Sequence, residues 1–306
     1  MKLSSKLKLP VWIAASCLLL AIEAPASFAQ DGQDAQVEFK TTKLTDNLFM
    51  LQGKGGNLGL SVGKDGVFLI DDDYKGLSDK IMAAIAEQTK EPVRFLVNTH
   101  WHFDHAGGNE AFGESGATIV AHKNVRKRLS SDQFIKAFDK KIPATAEAGL
   151  PIITFDQNIG FHLNGDDIDV FHVAPAHTDG DALVHFKTSN VLHTGDTYFN
   201  GFYPFIDASS GGRIDGMIAA ADTALALVND KTKIIPGHGG LSNKAELQAY
   251  RKMLASVRDT VQGLIDSGKT RKQIIAAKPT LKFDKEWGGG FMKPDQWAGI
   301  VYDSMQ

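Results

Sequence analysis

The feature that most constrains this chain is the segment THWHFDHAGG, residues 99–108. It places three histidines and one aspartate within six positions, although the whole chain of 306 residues has only ten histidines. Polar side chains at this density need partners or a ligand, so they do not belong in an apolar core. A solvated loop with chance histidines is the alternative interpretation, but the density favours a group of metal ligands.

The segment directly follows Val93–Val97, a continuous apolar run that is typical of a buried strand. If the chain stays extended, His100 and His102 project to the same side and can bind one ion. Asp104 and His105, beside the Ala-Gly-Gly turn, can point elsewhere and reach a second ion. The local pattern therefore predicts ligands for two ions.

Three further candidates come from the second half of the chain. His177, Asp196 and His238 each lie where an apolar run gives way to a turn containing glycine or aspartate. Each half also shows the order helix, short polar turn, buried strand and then histidine. Any one of the three could be a structural turn residue. Together, they predict a sandwich of two similar halves with a site at one edge.

Hydrophobic periodicity predicts the elements that carry these residues. Strands are predicted over Leu48–Leu51, Leu58–Val62, Val67–Ile70, Val93–Val97, Ile168–Val173, Ala182–Phe186, Val191–Leu192 and Lys233–Ile235. Helices are predicted over Ser78–Thr89 and Ile214–Val228, and a last long helix is predicted from an apolar stripe at Leu247, Tyr250, Leu254, Val257, Val261 and Leu264.

Residues 1–29 have the layout of a cleavable secretory signal: three lysines, the apolar run Val11–Ile22, and small residues at the end. The run is short for a membrane span, although an uncleaved anchor is the alternative. Cys17 lies inside this run, which disfavours a lipoprotein. We expect a signal peptide, a lead-in over 30–43 and one domain over 44–306, located in the periplasm or secreted, with no membrane association after cleavage.

Composition narrows the partners and the ligand chemistry. Without the signal, the chain has 30 basic and 35 acidic residues, so it has no general attraction to nucleic acid or to anionic membranes. Cys17 is the only cysteine, so the mature chain has neither disulfides nor thiolate ligands. We expect a small-molecule substrate and no nucleic-acid partner, and the sequence leaves the oligomeric state open.

The ordered pattern His-x-His-x-Asp-His, then His, Asp and His, resembles the metallo-β-lactamase-fold hydrolase superfamily. The resemblance implies an α/β fold, a four-layer αββα sandwich with a dinuclear metal site at one edge of the sheets. Carried over, the first ion would be held by His100, His102 and His177. The second would be held by Asp104, His105 and His238. Asp196 would bridge the two ions, and Asp104 would also be catalytic.

At three positions the chain differs from well-known members of the superfamily, and these differences indicate which members it resembles most. The best-known lactamase subclasses have a cysteine where Asp196 stands, and one of them has a lysine where Phe199 stands. His102 occupies a position where the oxygen-reducing diiron branch has glutamate. The chain therefore resembles the Asp-bridged dizinc members, such as lactonases, thioesterases and phosphodiesterases.

These ligand types suit two Zn²⁺ ions, although iron or manganese stays open. Two such ions lower the pKa of a shared water to about 7 and supply hydroxide at neutral pH. We expect an exported dizinc hydrolase that opens a cyclic amide or ester, with at least weak β-lactamase activity. A thioesterase or phosphodiesterase of the glyoxalase II type is the alternative, and a non-catalytic binding protein is the third.

Several further residues could surround the ions. Gly53–Asn57 is placed like a mobile flap, and Phe199–Phe205 would form either an aromatic pocket wall or loop packing. Lys123 and Arg213 are candidate anchors for a substrate carboxylate. Asp71 would either orient a ligand histidine or cap the turn between strand and helix. His193, three residues before Asp196, is an equally open candidate for supporting a ligand. Surface or strand positions are expected for the remaining histidines, His122, His162, His172 and His185.

Overall fold

The computed structural model describes residues 36–306, so the predicted signal peptide lies outside the described residues. Two β-sheets dominate this region. The first has seven strands in the order β1-β2-β3-β4-β5-β6-β9. Its members are β1 (Lys40–Lys43), β2 (Leu48–Gln52), β3 (Leu58–Ser61), β4 (Val67–Ile70), β5 (Val93–Asn98), β6 (Thr118–His122) and β9 (Ile153–Phe155).

The second sheet has five strands in the order β10-β11-β12-β13-β14, and the short hairpin β7–β8 stands apart from both sheets. The hairpin strands are β7 (Gln133–Ile135) and β8 (Lys140–Ile142). The sheet strands are β10 (Asn158–Leu163), β11 (Asp166–His172), β12 (Ala182–Phe186), β13 (Val191–His193) and β14 (Lys233–Ile235).

Helices cover the outer face of each sheet. They are α1 (Ser78–Ala86), α2 (Asn109–Glu114), α3 (Lys123–Leu129), α4 (Ile214–Leu227), α5 (Lys244–Asp266), α6 (Arg271–Ala276), α7 (Asp284–Trp287) and α8 (Pro294–Ser304). No helix within residues 36–306 is both long enough and apolar enough to cross a membrane.

Strand alternation explains the layers. On β4, Phe68 and Ile70 belong to the core between the two sheets, whereas Val67 and Leu69 belong to the core beneath α1 and α2. A third core joins the outer face of the second sheet to α4, α5 and α8. The sequence of layers is therefore helix, sheet, sheet, helix, and the predicted four-layer αββα sandwich is confirmed.

The element predictions hold at the strands that carry site residues, and they differ elsewhere. Strand β1 pairs with β2 although it falls within the range assigned to the lead-in, because its sequence KTTK has no apolar residue to reveal it. Helix α1 ends at Ala86 rather than Thr89, and the amide of Thr89 closes a turn onto Ile85. The predicted last helix is α5, but three shorter helices follow it.

Candidate metal centre

The site lies where strands end at one edge of the sandwich. Strand β5 ends at Asn98, and the next residues include the first four candidate ligands. Strands β13 and β14 are parallel neighbours, so the turns that follow them bring Asp196 and His238 to the same edge. Crevices beyond the carboxyl ends of parallel strands are common ligand sites because loops from several strands converge there.

The structure brings all seven candidate ligands together in two adjoining groups. The ligand atoms within each group lie within 4.8 Å of one another. The first group comprises His100, His102, His177 and Asp196, and the second comprises Asp104, His105 and His238. Asp196 also reaches the second group, because its carboxylate lies 3.0 Å from His105 Nε2 and 3.4 Å from His238 Nε2.

The hydrogen bonds of the first group leave two nitrogen lone pairs facing each other. His102 Nε2 contacts the Asp207 carboxylate at 3.1 Å, and His177 Nδ1 contacts the carbonyl oxygen of Phe205 at 2.8 Å. Each of these nitrogens therefore carries its ring's proton in the neutral form. The opposite nitrogens, His102 Nδ1 and His177 Nε2, are then bare and lie only 2.8 Å apart. A cation resolves this repulsion, so the donor set fits a metal ion.

The second group shows the same arrangement. His105 Nδ1 donates to Asp71 Oδ2 at 2.8 Å, so the neutral ring has a bare Nε2, which lies 3.3 Å from His238 Nε2. His100 Nε2, which belongs to the first group, is buried without a hydrogen-bond partner. Buried polar atoms rarely stay unpaired, so this nitrogen also fits a ligand role.

The pKa values of the candidate ligand histidines shift in opposite directions, and both shifts are compatible with metal binding. Burial lowers the pKa of His177 to about 4 and the pKa of His100 well below its usual value, so both rings are neutral. Although burial opposes a charge on His105, the carboxylates of Asp196 and Asp71 raise its pKa. Asp196 and Asp104 likewise raise the pKa of His238 to about 9 against the effect of burial. The attraction that holds these protons is equally available to a metal cation.

Asp71 supports the site by accepting hydrogen bonds from Thr99, which directly precedes His100, and from the candidate ligand His105. Its carboxylate accepts from the Thr99 amide at 2.7 Å, from Thr99 Oγ1 at 2.7 Å and from His105 at 2.8 Å. Asp71 has φ of 59°, a left-handed backbone conformation that is uncommon for a residue with a side chain. It therefore fixes a ligand histidine, as the supporting role requires, as well as the end of β5.

Close backbone approach explains two glycines in the ligand loops. A Cβ at Gly237 would overlap Asp196 Oδ1, and a Cβ at Gly56 would overlap the ring of His105. Only glycine allows the backbone so near these side chains. Gly56 lies in the flap predicted over Gly53–Asn57, so this flap reaches the ligand His105.

A cavity of about 390 Å³ opens above the ligands. Its lining includes the ligands His102, Asp104, Asp196 and His238, with Lys54 and Tyr74 at one side. The remaining lining residues are apolar and comprise Phe103, Ile135, Phe138, Phe202, Phe205 and Phe291. Such a site is typical of small-molecule binding, with a few polar groups at the base of an apolar pocket.

The predicted aromatic wall is partly correct. Phe202 and Phe205 line the cavity, but Tyr203 stacks on Trp297 in the core, at 4.2 Å between ring centroids. Phe199 is fully buried and stacks on His238. The predicted segment therefore serves both purposes, pocket wall and loop packing.

Neither candidate carboxylate anchor lines the cavity. Lys123 forms an ion pair with Asp156, and Arg213 precedes the first residue of α4. Lys54, in the flap, is the cation that lines the cavity among the described residues. Lys54 was not predicted to line the site, because a lone lysine in a glycine-rich turn has no sequence pattern that indicates a binding role.

Two histidines outside the ligand groups have defined positions. His122 is the last residue of β6, as the strand alternative predicted, and it is buried and stacks on His172 with ring centroids 3.8 Å apart. His193 Nε2 contacts the carbonyl of Asn57 at 3.0 Å, and its Nδ1 accepts from the amide of Gly195 at 3.1 Å. His193 therefore ties the flap to the turn that carries Asp196.

The chain matches a known protein family over the region that carries the site. The model of the metallo-beta-lactamase superfamily matches residues 54–238, which include every candidate ligand. The chain belongs to this superfamily. Its two groups of candidate ligands form a His/Asp metal-binding cluster at the sheet edge.

Curated relatives are named hydroxyacylglutathione hydrolase. The protein of Nitrosococcus oceani is 30% identical over 207 residues, which cover 66% of this chain and 69% of the relative. The protein of Polaromonas sp. is 27% identical, and the match covers 63% of this chain and 65% of the relative. That of Pelagibacter ubique is 27% identical over 48% of this chain and 52% of its own length. The chain thus matches about half to two thirds of these relatives.

Solved structures share the fold. A metallo-beta-lactamase from Pontibacter korlensis superposes with a TM-score of 0.59 at 19% identity, covering 71% of this chain and 99% of its own. A stereoselective inverting sec-alkylsulfatase from Pseudomonas sp. gives a TM-score of 0.65 at 16% identity, covering 91% of this chain and 51% of its own. At these identities, the likeness shows the fold alone.

Proposed function

We propose that this protein is an exported zinc hydrolase that opens a cyclic amide or ester of a small, largely apolar molecule. The observation that carries the proposal is the cavity itself, in which phenylalanine rings surround a base of metal ligands. The donor set of imidazoles and carboxylates, with no thiolate, suits zinc. When bound, a pair of divalent ions supplies Lewis acidity and a water of lowered pKa.

Asp104 is the residue of this chain that is placed to accept a proton and pass it on. It lines the cavity, and its Oδ2 lies 3.4 Å from His238 Nε2. Burial alone would raise the pKa of Asp104, but the hydrogen bond with His238 and the charge on His105 lower it well below its usual range. Asp104 is therefore ionised at neutral pH. It can orient the attacking water and pass that water's proton to the departing atom.

The cavity favours a substrate with few charges. An anionic group on the substrate would lie near Lys54, at the edge of an otherwise apolar lining. A fused cyclic amide with one carboxylate matches this arrangement, which is why we propose at least weak β-lactamase activity. A polyanionic substrate would have to lie against phenylalanine rings, where burying unpaired charges is costly.

Thioester hydrolysis is the second candidate, because the curated relatives named above are hydroxyacylglutathione hydrolases. The glutathione half of such a substrate carries three charged groups, two carboxylates and an ammonium, whereas six of the residues that line the cavity are apolar. Among the described residues, the cations near it are Lys54 in the lining and Lys140, which lies over the ring of Phe103. The composition of the cavity therefore favours the cyclic amide or ester. A phosphodiester substrate would meet the same largely apolar lining.

A hydrolysis screen tests the proposal. The zinc-loaded protein is assayed with a carbapenem, a cephalosporin, an acyl-homoserine lactone, a thioester and a bis-phosphodiester. We expect turnover of at least one lactam or lactone, and the Asp104→Ala variant separates it from contaminating activity. Turnover of the phosphodiester alone would overturn the proposal, and turnover of the thioester alone would establish the second candidate.

Export is tested separately. We expect the native gene product to be recovered from the periplasm or medium with its N-terminus at Gln30, as cleavage after residue 29 requires. Recovery of the uncleaved chain in the membrane fraction would establish the anchor interpretation instead.

A further inference from the structure

The phenylalanine rings around the cavity form two separate groups. We call Phe138 and Phe205 the hairpin wall, because Phe138 lies in the turn of the β7–β8 hairpin. Their ring centroids are 4.7 Å apart. Phe205 lies 5.9 Å from the ring of His102 and 5.7 Å from that of His177. The hairpin wall therefore stands on the side of the first ligand group.

We call Phe202 and Phe291 the loop wall, because Phe291 lies in the loop between α7 and α8. Their centroids are 6.1 Å apart. Behind them, Phe199 lies 5.7 Å from Phe202 and stacks on His238 at 5.1 Å. The loop wall therefore stands on the side of the second ligand group. Gly290 brings its loop close, because a Cβ there would meet the side chain of Phe202.

The position of Asp104 gives the two sides different roles in the reaction. Asp104 belongs to the second ligand group, and its Oδ2 lies 3.4 Å from Nε2 of His238, whose ring stacks on Phe199 behind the loop wall. The proton that Asp104 passes on is therefore assigned to this side of the cavity. The atom that leaves the carbonyl carbon must receive that proton, so it lies on this side too. The acyl part of the substrate then extends toward the hairpin wall.

The outer ring of each wall is exposed in a way that core packing does not explain. Phe138 is 40% exposed and Phe291 is 51% exposed, whereas Phe205 in the hairpin wall and Phe199 behind the loop wall are buried. Exposed aromatic rings beside a pocket commonly indicate a binding surface. These two are continuous with the candidate catalytic site, so the occupant they suit is its substrate.

We propose that the substrate carries apolar substituents on both sides of the scissile bond. The acyl-side substituent contacts the hairpin wall, and the leaving-side substituent contacts the loop wall. Phe138 and Phe291 are then separate specificity-determining residues, one for each side. This inference rests on the proposed function and names the class of cyclic ester or amide that the site selects.

Two series of uncharged γ-butyrolactones test the assignment. One series carries an alkyl chain of increasing length on the carbon beside the carbonyl, and the other carries it on the carbon that bears the ring oxygen. In the zinc-loaded enzyme, we expect kcat/KM to rise about two- to fourfold per added methylene in both series until the chain outgrows the wall. Phe138→Ala should flatten the first series alone, and Phe291→Ala the second alone.

Phe134→Ala is the matched control. Phe134 is 47% exposed on the same hairpin, but it does not line the cavity, so its loss should change neither series. All three rings lie at the surface, and circular dichroism checks that the variants fold. A readout without turnover uses the alkylated cyclopentanones that correspond to the lactones. Their dissociation constants should show the same pattern.

Two results would overturn the inference: turnover without dependence on chain length, or an equal effect of Phe134→Ala and Phe138→Ala. If Phe138→Ala flattened the second series instead, the assignment of the walls would be reversed and the proposed proton delivery by Asp104 would be wrong. Failure of the proposed function looks different, because even unsubstituted lactones and the lactams of the screen would then not be hydrolysed.

Discussion

Replacing Asp71 by asparagine should loosen one metal ion and leave the other in place. The carboxylate accepts three hydrogen bonds, from the amide and hydroxyl of Thr99 and from His105 Nδ1. Asparagine tolerates the left-handed backbone at this position. Its amide nitrogen, however, cannot accept the proton of His105. The least costly response is for His105 to move its proton to Nε2, the nitrogen that faces the second ion.

The size of the effect follows from these contacts. Loss of a carboxylate that orients a ligand histidine typically costs 10- to 100-fold in metal affinity. For the second ion, this corresponds to a loss of about 1.4–2.8 kcal/mol of binding free energy. Asp71 makes no direct contact with the first ligand group and is connected to it through Thr99. The affinity of the first group for its ion should therefore change little. The measurement is metal content per chain across a series of buffered free-zinc concentrations. We expect two overlapping steps in the wild type and two separated steps in the variant.

Asp166→Asn is the matched control. Asp166 is also a buried carboxylate that accepts hydrogen bonds from two backbone amides, those of Thr188 and Ser189, but it contacts no candidate ligand. Both variants should lose thermal stability, and only Asp71→Asn should lose metal affinity. Wild-type occupancy of both sites in Asp71→Asn, or equal metal loss in the two variants, would refute the reasoning.

Four further predictions test other parts of the structure. Asp207→Asn should weaken the first ion about 10- to 100-fold through His102, and unchanged zinc occupancy would contradict this. Gly237→Ala should abolish binding of at least one ion while the circular dichroism spectrum persists, because its Cβ would overlap Asp196; full metal content would contradict the geometry. Lys54→Ala should raise KM about two- to fivefold for carboxylated substrates and leave that of uncharged lactones unchanged, as expected for a screened ion pair. Burial lowers the pKa of His122 to about 4, so the unfolded chain binds a proton there first as the pH falls below 6.5. The resulting loss of unfolding free energy, at most about 3 kcal/mol by pH 4, should be smaller in His122→Asn, and an identical pH profile in denaturant titrations would contradict it.

Local patterns were sufficient for the fold wherever a strand is apolar. Strands β4 and β12 have the predicted bounds because apolar residues dominate both, and only His185 interrupts the apolar run of β12. Strand β1 was missed because its four residues are polar and its place depends on pairing with β2. The β7–β8 hairpin was missed as well, because its strands QFI and KKI are short and, unlike the equally short β14, neither leads into a candidate ligand.

For the site, the sequence predicted which residues could be ligands but not what surrounds them. The seven ligands carry a pattern because a metal requires those residue types at the ends of the strands. Asp207 and Phe291 carry no such pattern, because each acts by contact with residues distant in the chain. Lys123 shows the converse error, since its charge made it a candidate anchor but its partner is Asp156.

The most direct test of the central claim is the metal content of the purified full chain. The protein is loaded with zinc, passed through a desalting column to remove loosely bound ions, and analysed by inductively coupled plasma mass spectrometry against its amino-acid concentration. The two groups of converging ligands predict two ions per chain. One ion or none after adequate metal supply would contradict the dinuclear site and every proposal that depends on it.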